Sequence, residues 1–269
     1  MEEIRNGCKK MTNTLEAAYT IWLREMKRFL KSRSRMVGSG GQPLIWLGII
    51  GVGLGSAFAL KAGNNIPYLT FMSPGVIGMT LLFSSIFAGV SVIWDRQFGF
   101  LKEILVAPVS RLGIVLGKIA GSATIAVITA LIILVVVIAI RVLPLSYLSP
   151  LGILEALLFM ILTSSTFVAI GLIIAALINN IESFQVLINF LVMPMFFLSG
   201  ALFPISSTLP VWLSSLSHID PLFYAIDGMR GSLIHFSTYS VGIDAVVTLA
   251  AAALFVGIAF VLFSRIEGK

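Results

Sequence analysis

The sequence predicts an all-α membrane protein: six transmembrane helices, an N-terminal interfacial amphipathic helix, a short cytoplasmic helix between spans 2 and 3, and re-entrant external helices between spans 5 and 6. Three observations carry this. Of the 269 residues, 58% are hydrophobic and 11% charged, against about 25% charged in an average soluble domain. The mean hydropathy is +1.04, and the apolar residues gather into runs of about 20, the length that crosses a bilayer. The formal charge of +6 sits at the ends of those runs rather than on one basic face, so it speaks for membrane topology and against nucleic acid. Residues 1–42 form a cytoplasmic N-terminal arm, and residues 43–269 form the transmembrane domain.

Some forty mostly polar residues precede the first apolar run, which is therefore not the core of a secretory signal. Within the arm, Asn13 can cap a helix and Glu16 stands three residues on. An apolar stripe follows at Leu15, Tyr19, Trp22, Leu23, Met26 and Leu30, one face of a helix. Arg24, Lys27, Arg28 and Lys31 occupy the other face, which suits a helix lying flat on the inner leaflet with Trp22 at headgroup depth. Calmodulin-like or nucleic-acid binding would use the same charges, but the segment runs straight into a span at Pro43, which favours the membrane surface.

Spans are predicted at roughly 43–60, 70–93, 113–140, 151–178, 184–203 and 241–264. An even number puts both termini on one side. Fifteen lysines and arginines then fall on that side, against Lys61, Arg141 and Arg230 on the other, so both termini are expected in the cytoplasm. Pro74 and Pro194 are expected to bend the second and fifth spans. Gly51 and Gly55, and Gly117 and Gly121, have the four-residue spacing that lets helices approach closely, either within one subunit or between two.

Spans 2 and 3 are joined by a segment that runs from Asp95 to Arg111. Phe98, Leu101 and Leu105 recur at helical spacing, Asp95, Arg96, Lys102 and Glu103 supply mixed charge, and Pro108 stops the helix. A solvated connector needs neither the stripe nor the two phenylalanines; a knob that fits a groove on a cytoplasmic partner needs both. Between spans 5 and 6, the stretch from Pro204 to Ser240 is too polar to span and too apolar for a solvated loop. With Trp212, Leu213, Leu216, Leu222, Phe223 and Tyr224 between the stops Pro210 and Pro221, it reads as two short helices dipping in from outside and covered by protein.

Three of these stretches together resemble the ABC-2 type permeases, in particular the branch of daunorubicin-resistance and nodulation-factor export proteins. They are the elbow Asp95-Arg96-Gln97-Phe98-Gly99-Phe100-Leu101-Lys102-Glu103-Ile104-Leu105-Val106-Ala107-Pro108 with its continuation Gly113 to Lys118; Phe197-Leu198-Ser199-Gly200-Ala201-Leu202-Phe203-Pro204; and Asp220-Pro221-Leu222-Phe223-Tyr224-Ala225-Ile226-Asp227-Gly228-Met229-Arg230-Gly231. The resemblance implies the permease subunit of an ATP-driven exporter of amphipathic or hydrophobic cargo, such as a drug, lipid or glycan. It implies a homodimer working with two copies of a separate ATP-binding-cassette ATPase, which would carry the ATP and magnesium; no cofactor is expected on this chain. The elbow becomes a coupling helix, and with the N-terminal flat helix it forms the ATPase docking surface. Gln97 departs from the branch, which often has an acidic residue there, while Glu103 remains available.

Two other classes compete. An ion-coupled secondary transporter needs ionisable groups deep in the membrane, whereas Lys118, Glu155 and Asp244 fall within a turn or two of predicted span ends, where snorkelling accounts for them. A membrane-embedded enzyme needs a nucleophile with its base, or a metal cluster. Cys8 is the single cysteine, and His218 and His235 lie apart in the external stretch, so no metal spacing is present. Gly113-x-x-x-Gly117-Lys118 is one residue short of a phosphate-binding loop and opens a span. Thr163, Ser164, Ser165, Thr166 and Ser199 are hydroxyls that either line a pathway or bond across helices. Asp227 and Arg230, three apart on one helix face, are expected to form a local ion pair.

Overall fold

In lipid, every backbone N–H and C=O must find its partner inside the protein, and a helix does this within one segment. In a computed structural model of the protein, which describes residues 14–31, 41–53, 66–97, 111–178, 180–205 and 210–264 (side chains of 96, 111, 263 and 264 excepted), no strand occurs among the described residues. The chain runs through α1 (Thr14–Lys31), α2 (Gly41–Gly51, whose last turn Leu47–Gly51 is wound as a π-helix), α3 (Tyr68–Ile86) and α4 (Ala88–Gln97). It continues as α5 (Arg111–Ala139), α6 (Pro150–Leu177), α7 (Ile181–Leu198), α8 (Val211–Ser217), α9 (Pro221–Ile234) and α10 (Val241–Ser264). Five helical stretches are long and apolar enough to cross a membrane: Tyr68–Asp95, Leu112–Ala139, Pro150–Leu177, Ile181–Leu198 and Val241–Leu262. The predicted first span is described only over its first half, as α2; Gly55 and the rest of it lie outside the described residues.

Local chemistry sets the helix ends. Ser149 accepts a hydrogen bond from the Gly152 N–H at 2.9 Å with Pro150 in the first turn, and Asn180 accepts one from Ser183 at 2.9 Å. Asp220 does the same for Leu222 at 2.9 Å, followed by Pro221. These are N-caps that satisfy otherwise orphaned donors. The Asn180 cap starts α7 earlier than the apolar run implies, and Gly200 at φ +70° ends it earlier, before Phe203. Only glycine adopts that angle without strain.

Both prolines stay inside continuous helices. Pro74 leaves the Thr70 carbonyl without its helical donor, and the Ser73 hydroxyl donates to that oxygen instead at 2.8 Å. The second span breaks elsewhere, at Phe87 between α3 and α4. There, α6 presses in: a Cβ on Gly171 would lie 2.6 Å from the Ile86 carbonyl oxygen, and one on Gly89 would strike the carbonyl of Gly171. Lipid tails are as apolar as leucine, so helices associate in a membrane through close packing of small residues rather than through water exclusion. The same device seats α9, with Gly228 against the Phe159 ring and Gly152 of α6 against the Ser232 backbone.

The bundle therefore has α9 as an inner element, packed on α3, α6 and α10 and buried from Leu222 to Ile234 except at Tyr224. The short α8 before it is outward, with Trp212 65% exposed. Two helices between the fifth and sixth spans match the sequence reading, and the burial of the second agrees with the expectation that protein covers them. Gly117 and Gly121 face α1, the first against the Ala18 backbone and the second against Glu25 and Trp22. Their close spacing serves a contact within the subunit.

Candidate functional site

Two polar constructions stand out in this apolar bundle. The first ties α1 to the membrane helices. Lys118, in the second turn of α5, extends its ammonium to Glu25 Oε1 at 2.9 Å, to Asp95 Oδ2 at 2.9 Å and to the Ser91 hydroxyl at 3.0 Å. Arg24 adds a bond to Asp95 Oδ2 at 3.0 Å and a longer one to Glu25 Oε1 at 3.4 Å. Arg28 approaches Asp95 Oδ1 at 3.9 Å and lies over the Trp94 ring, 5.8 Å from its centroid. Trp22 completes the seam by donating to the Thr124 hydroxyl at 3.1 Å.

Lys118, Glu25 and Asp95 are 3%, 5% and 6% exposed. Burial pushes the Glu25 carboxyl up, but the Lys118 ammonium beside it, and Arg24 after that, more than offset it and hold the group below the usual carboxylate range. A buried charge survives only when paired in this way. Snorkelling does not account for Lys118: its amine turns inward to two carboxylates instead of reaching for water. Glu155, by contrast, stays half-exposed at its span end.

Sequence reasoning found Arg24, Arg28 and Asp95 separately and missed Glu25, the residue that joins them to Lys118. The apolar stripe, read as the leaflet-facing side, is a different face of α1 from the one that packs on α5. Leu15, Tyr19 and Leu30 are 77%, 60% and 62% exposed, while the row Ala17, Ile21, Glu25, Phe29 packs on α5. A four-residue row of small and apolar residues interrupted by one glutamate was the available signal. Lys27 and Lys31 remain exposed. Of the predicted coupling residues, Asp95 is in the network and Gln97 is exposed at the end of α4. The side chain of Arg96, and Phe98, Gly99, Leu101, Lys102, Glu103, Leu105 and Pro108, lie outside the described residues.

The second construction holds α9. Asp227 accepts from the Thr238 N–H at 2.7 Å, the Tyr239 N–H at 2.9 Å and the Thr238 hydroxyl at 3.2 Å. Arg230 donates to the Gly200 carbonyl at 2.9 Å and lies 3.9 Å from the centroid of the Phe71 ring. Their mutual contact is 4.0 Å, so the expected ion pair exists but is the weakest of their bonds. Each residue reaches away from the other to pin a different loop. Tyr224 donates to the His218 carbonyl at 3.1 Å and stacks on Tyr239 at 5.9 Å. Asp220, 6% exposed, has its carboxyl pushed up to about 7 by burial, against the pull of the Leu222 N–H. Pro204 is half-buried just beyond the α7 stop, and Pro221 sits in the first turn of α9.

Two further readings are corrected. Asp244 is fully buried in the first turn of α10, and neither carboxylate oxygen has a partner among the described residues. It does not snorkel. The hydroxyls of Thr163, Ser164, Ser165, Thr166 and Ser199 donate to carbonyls three or four residues back in their own helix, so these bonds cross no helix interface. Among the described residues no group of three or more His, Cys, Asp or Glu could hold a metal ion.

Helices α1 and α9, each held by one of these constructions, mark the two ends of a region that known proteins share. The sequence profile described as ABC-2 type transporter matches residues 16–234, from the first turn of α1 to the last residue of α9. Nodulation protein J of Rhizobium leguminosarum bv. trifolii is 30% identical over 213 residues, 78% of each chain. The putative transport permease ycf38 of Cyanophora paradoxa is 28% identical over 84% of this chain and 80% of its own. The inner membrane transport permease YadH of Escherichia coli (strain K12) is 25% identical over 80% of this chain and 81% of its own. The last two are named as transport permeases rather than enzymes, and with a profile match that runs from the arm helix through buried α9, this chain belongs to the ABC-2 type transporter family.

Proposed function

We propose that this chain is the permease subunit of an exporter that moves an amphipathic or hydrophobic cargo, drug-like, lipid or glycan, out across the cell membrane. Energy comes from ATP and magnesium held on a separate ATP-binding-cassette subunit, two copies of which serve a homodimer of this chain. Both termini lie in the cytoplasm. The ion network carries the reading. It joins α1, α4 and α5 where the chain leaves α4 for the elbow, so a push on α1 or on the elbow moves both spans as one body. The partner docks on α1, through Arg24, Lys27, Arg28 and Lys31, and on the elbow from Asp95 to Pro108. ATP binds the closed form of the partner dimer more tightly than the open form, and that difference drives the swing between inward and outward states.

The test is reconstitution. Proteoliposomes holding the chain and its ATP-binding-cassette partner should accumulate a fluorescent amphipathic cargo with ATP, and Lys118→Met should uncouple hydrolysis from accumulation. Accumulation that survives ATP depletion but stops when the proton gradient is collapsed would overturn the reading. That result would favour an ion-coupled carrier, for which buried Asp244 in α10, whose carboxylate has no partner among the described residues, is the supporting observation, because intramembrane carboxylates mark ion paths.

A further inference from the structure

Beside the ion network, a cavity of about 410 Å³ lies between α1, α2, α3, α4 and α5. Its walls are mostly apolar and include the rings of Phe29, Phe83, Phe87 and Trp94; Glu25 is the one charged residue among the described residues that line it. The carboxylate takes its bonds from Lys118 and Arg24 on Oε1, and among the described residues nothing bonds Oε2. The cations of the network are not part of the wall. Arg24, bonded to Asp95 at 3.0 Å, touches Glu25 at only 3.4 Å and is about 40% exposed, so it can yield that contact and keep its other partner. Glu25 is held ionised by Lys118.

A carboxylate set among aromatic faces in an otherwise apolar hollow selects for charge of one sign. Ring faces are negative and attract cations, most strongly where water is excluded, and no described residue of the wall carries a positive group that would receive an anion. The geometry points to a binding site for an amphipathic ammonium, an amine whose charged head meets Glu25 Oε2 and whose apolar body lies against Phe29, Phe83, Phe87 and Trp94. An amine-headed lipid of the leaflet at this end and a soluble amphipathic amine share that chemistry. The site does not depend on the export reading, because binding needs neither the ATPase nor transport.

The full chain, purified in a maltoside with no charged headgroup and without the ATPase, is titrated calorimetrically with phenylbutyltrimethylammonium, phenylbutanol and phenylbutyrate. The ammonium should bind at least about tenfold more tightly than the alcohol, and the carboxylate should not bind. Glu25→Gln should abolish the preference for the ammonium and leave alcohol binding in place. Because that change also touches Lys118, a second variant, Ser84→Leu, narrows the cavity without altering a charge and should weaken both probes. Equal affinity of wild type for ammonium and alcohol would overturn the site, as would ammonium binding unchanged by Ser84→Leu. Added phosphatidylethanolamine that displaces the probe, where phosphatidylglycerol does not, identifies a lipid head as the source; failure of both to displace a probe that still depends on Glu25 identifies a soluble amine.

Discussion

Lys118 shows what one charge does in an apolar helix. Its ammonium is fully committed, with two carboxylates and a hydroxyl as acceptors, so its removal leaves Glu25 and Asp95 buried with Arg24 as their nearest counter-charge. Breaking a buried pair by removing one partner costs about 3 to 5 kcal/mol, more than the pair contributes as a whole, because the orphaned charge remains. Lys118→Met should therefore lower the apparent Tm sharply, and adding Glu25→Gln should restore part of the loss. Additive damage in the double variant would show that the two do not interact. Asp220 gives the opposite case, a carboxyl that is easier to keep as the neutral acid. Its folded-state pKa of about 7 stands above the unfolded value of about 3.9, so the folded protein holds a proton the unfolded chain has released. That stabilisation is complete below about pH 4 and lost as pH rises towards 7. Asp220→Asn keeps the cap on α9 and needs no proton. The Tm of the wild type should fall relative to this variant from pH 4 to pH 7 and run parallel above it; parallel melting throughout would refute the shift.

At the scale of elements, glycines decide how near the helices come. The crossing of α6 over the junction of α3 and α4 leaves no room beside Gly171, where a Cβ would sit 2.6 Å from the Ile86 oxygen. Gly171→Ala should force the helices apart and cost about 1 to 3 kcal/mol, read as a lower Tm, while Gly257→Ala, which meets nothing within 4 Å, should leave it unchanged. Run length made most helices legible in the sequence: α6 begins at Pro150, one residue from its predicted start, where Ser149 caps it. The face of α1 that packs on α5 was not legible, since hydrophobicity marks which face avoids water without distinguishing lipid from protein. Leu15, Tyr19 and Leu30 stay outward while Glu25 goes in, because the acid has partners there. The break at Phe87 was hidden for a related reason: its cause is Gly171, some eighty residues away in the chain, and not the proline that the local sequence offers. Asp227 and Arg230 were found as a pair by spacing, yet their stronger bonds go to residues that only the fold brings near.

The whole molecule leaves one face unexplained by lipid. Along α7 the exposed positions include Val186, Leu187, Phe190 and Phe197, as a lipid-facing helix should, but also Gln185 and Asn189, one turn apart on the same side. An amide turned to hydrocarbon has unsatisfied donors and acceptors, and polar side chains in spans are met by partners on other helices, at about 1 kcal/mol per bond. No described residue of the same chain bonds these two side chains, and a second copy brought up about a two-fold axis would present the same pair. The homodimer proposed above is therefore expected to form on this face. In a Cys8→Ser background, Asn189→Cys should give a covalent dimer under mild oxidation, because a disulfide needs Cα atoms within about 7 Å. Val246→Cys, on the exposed side of α10, should stay monomeric under the same oxidant. The double change Gln185→Leu with Asn189→Leu should weaken self-association measured in lipid. A helix that only faces lipid would associate no less after that change, and equal cross-linking at both cysteine positions would mark the dimers as collisions.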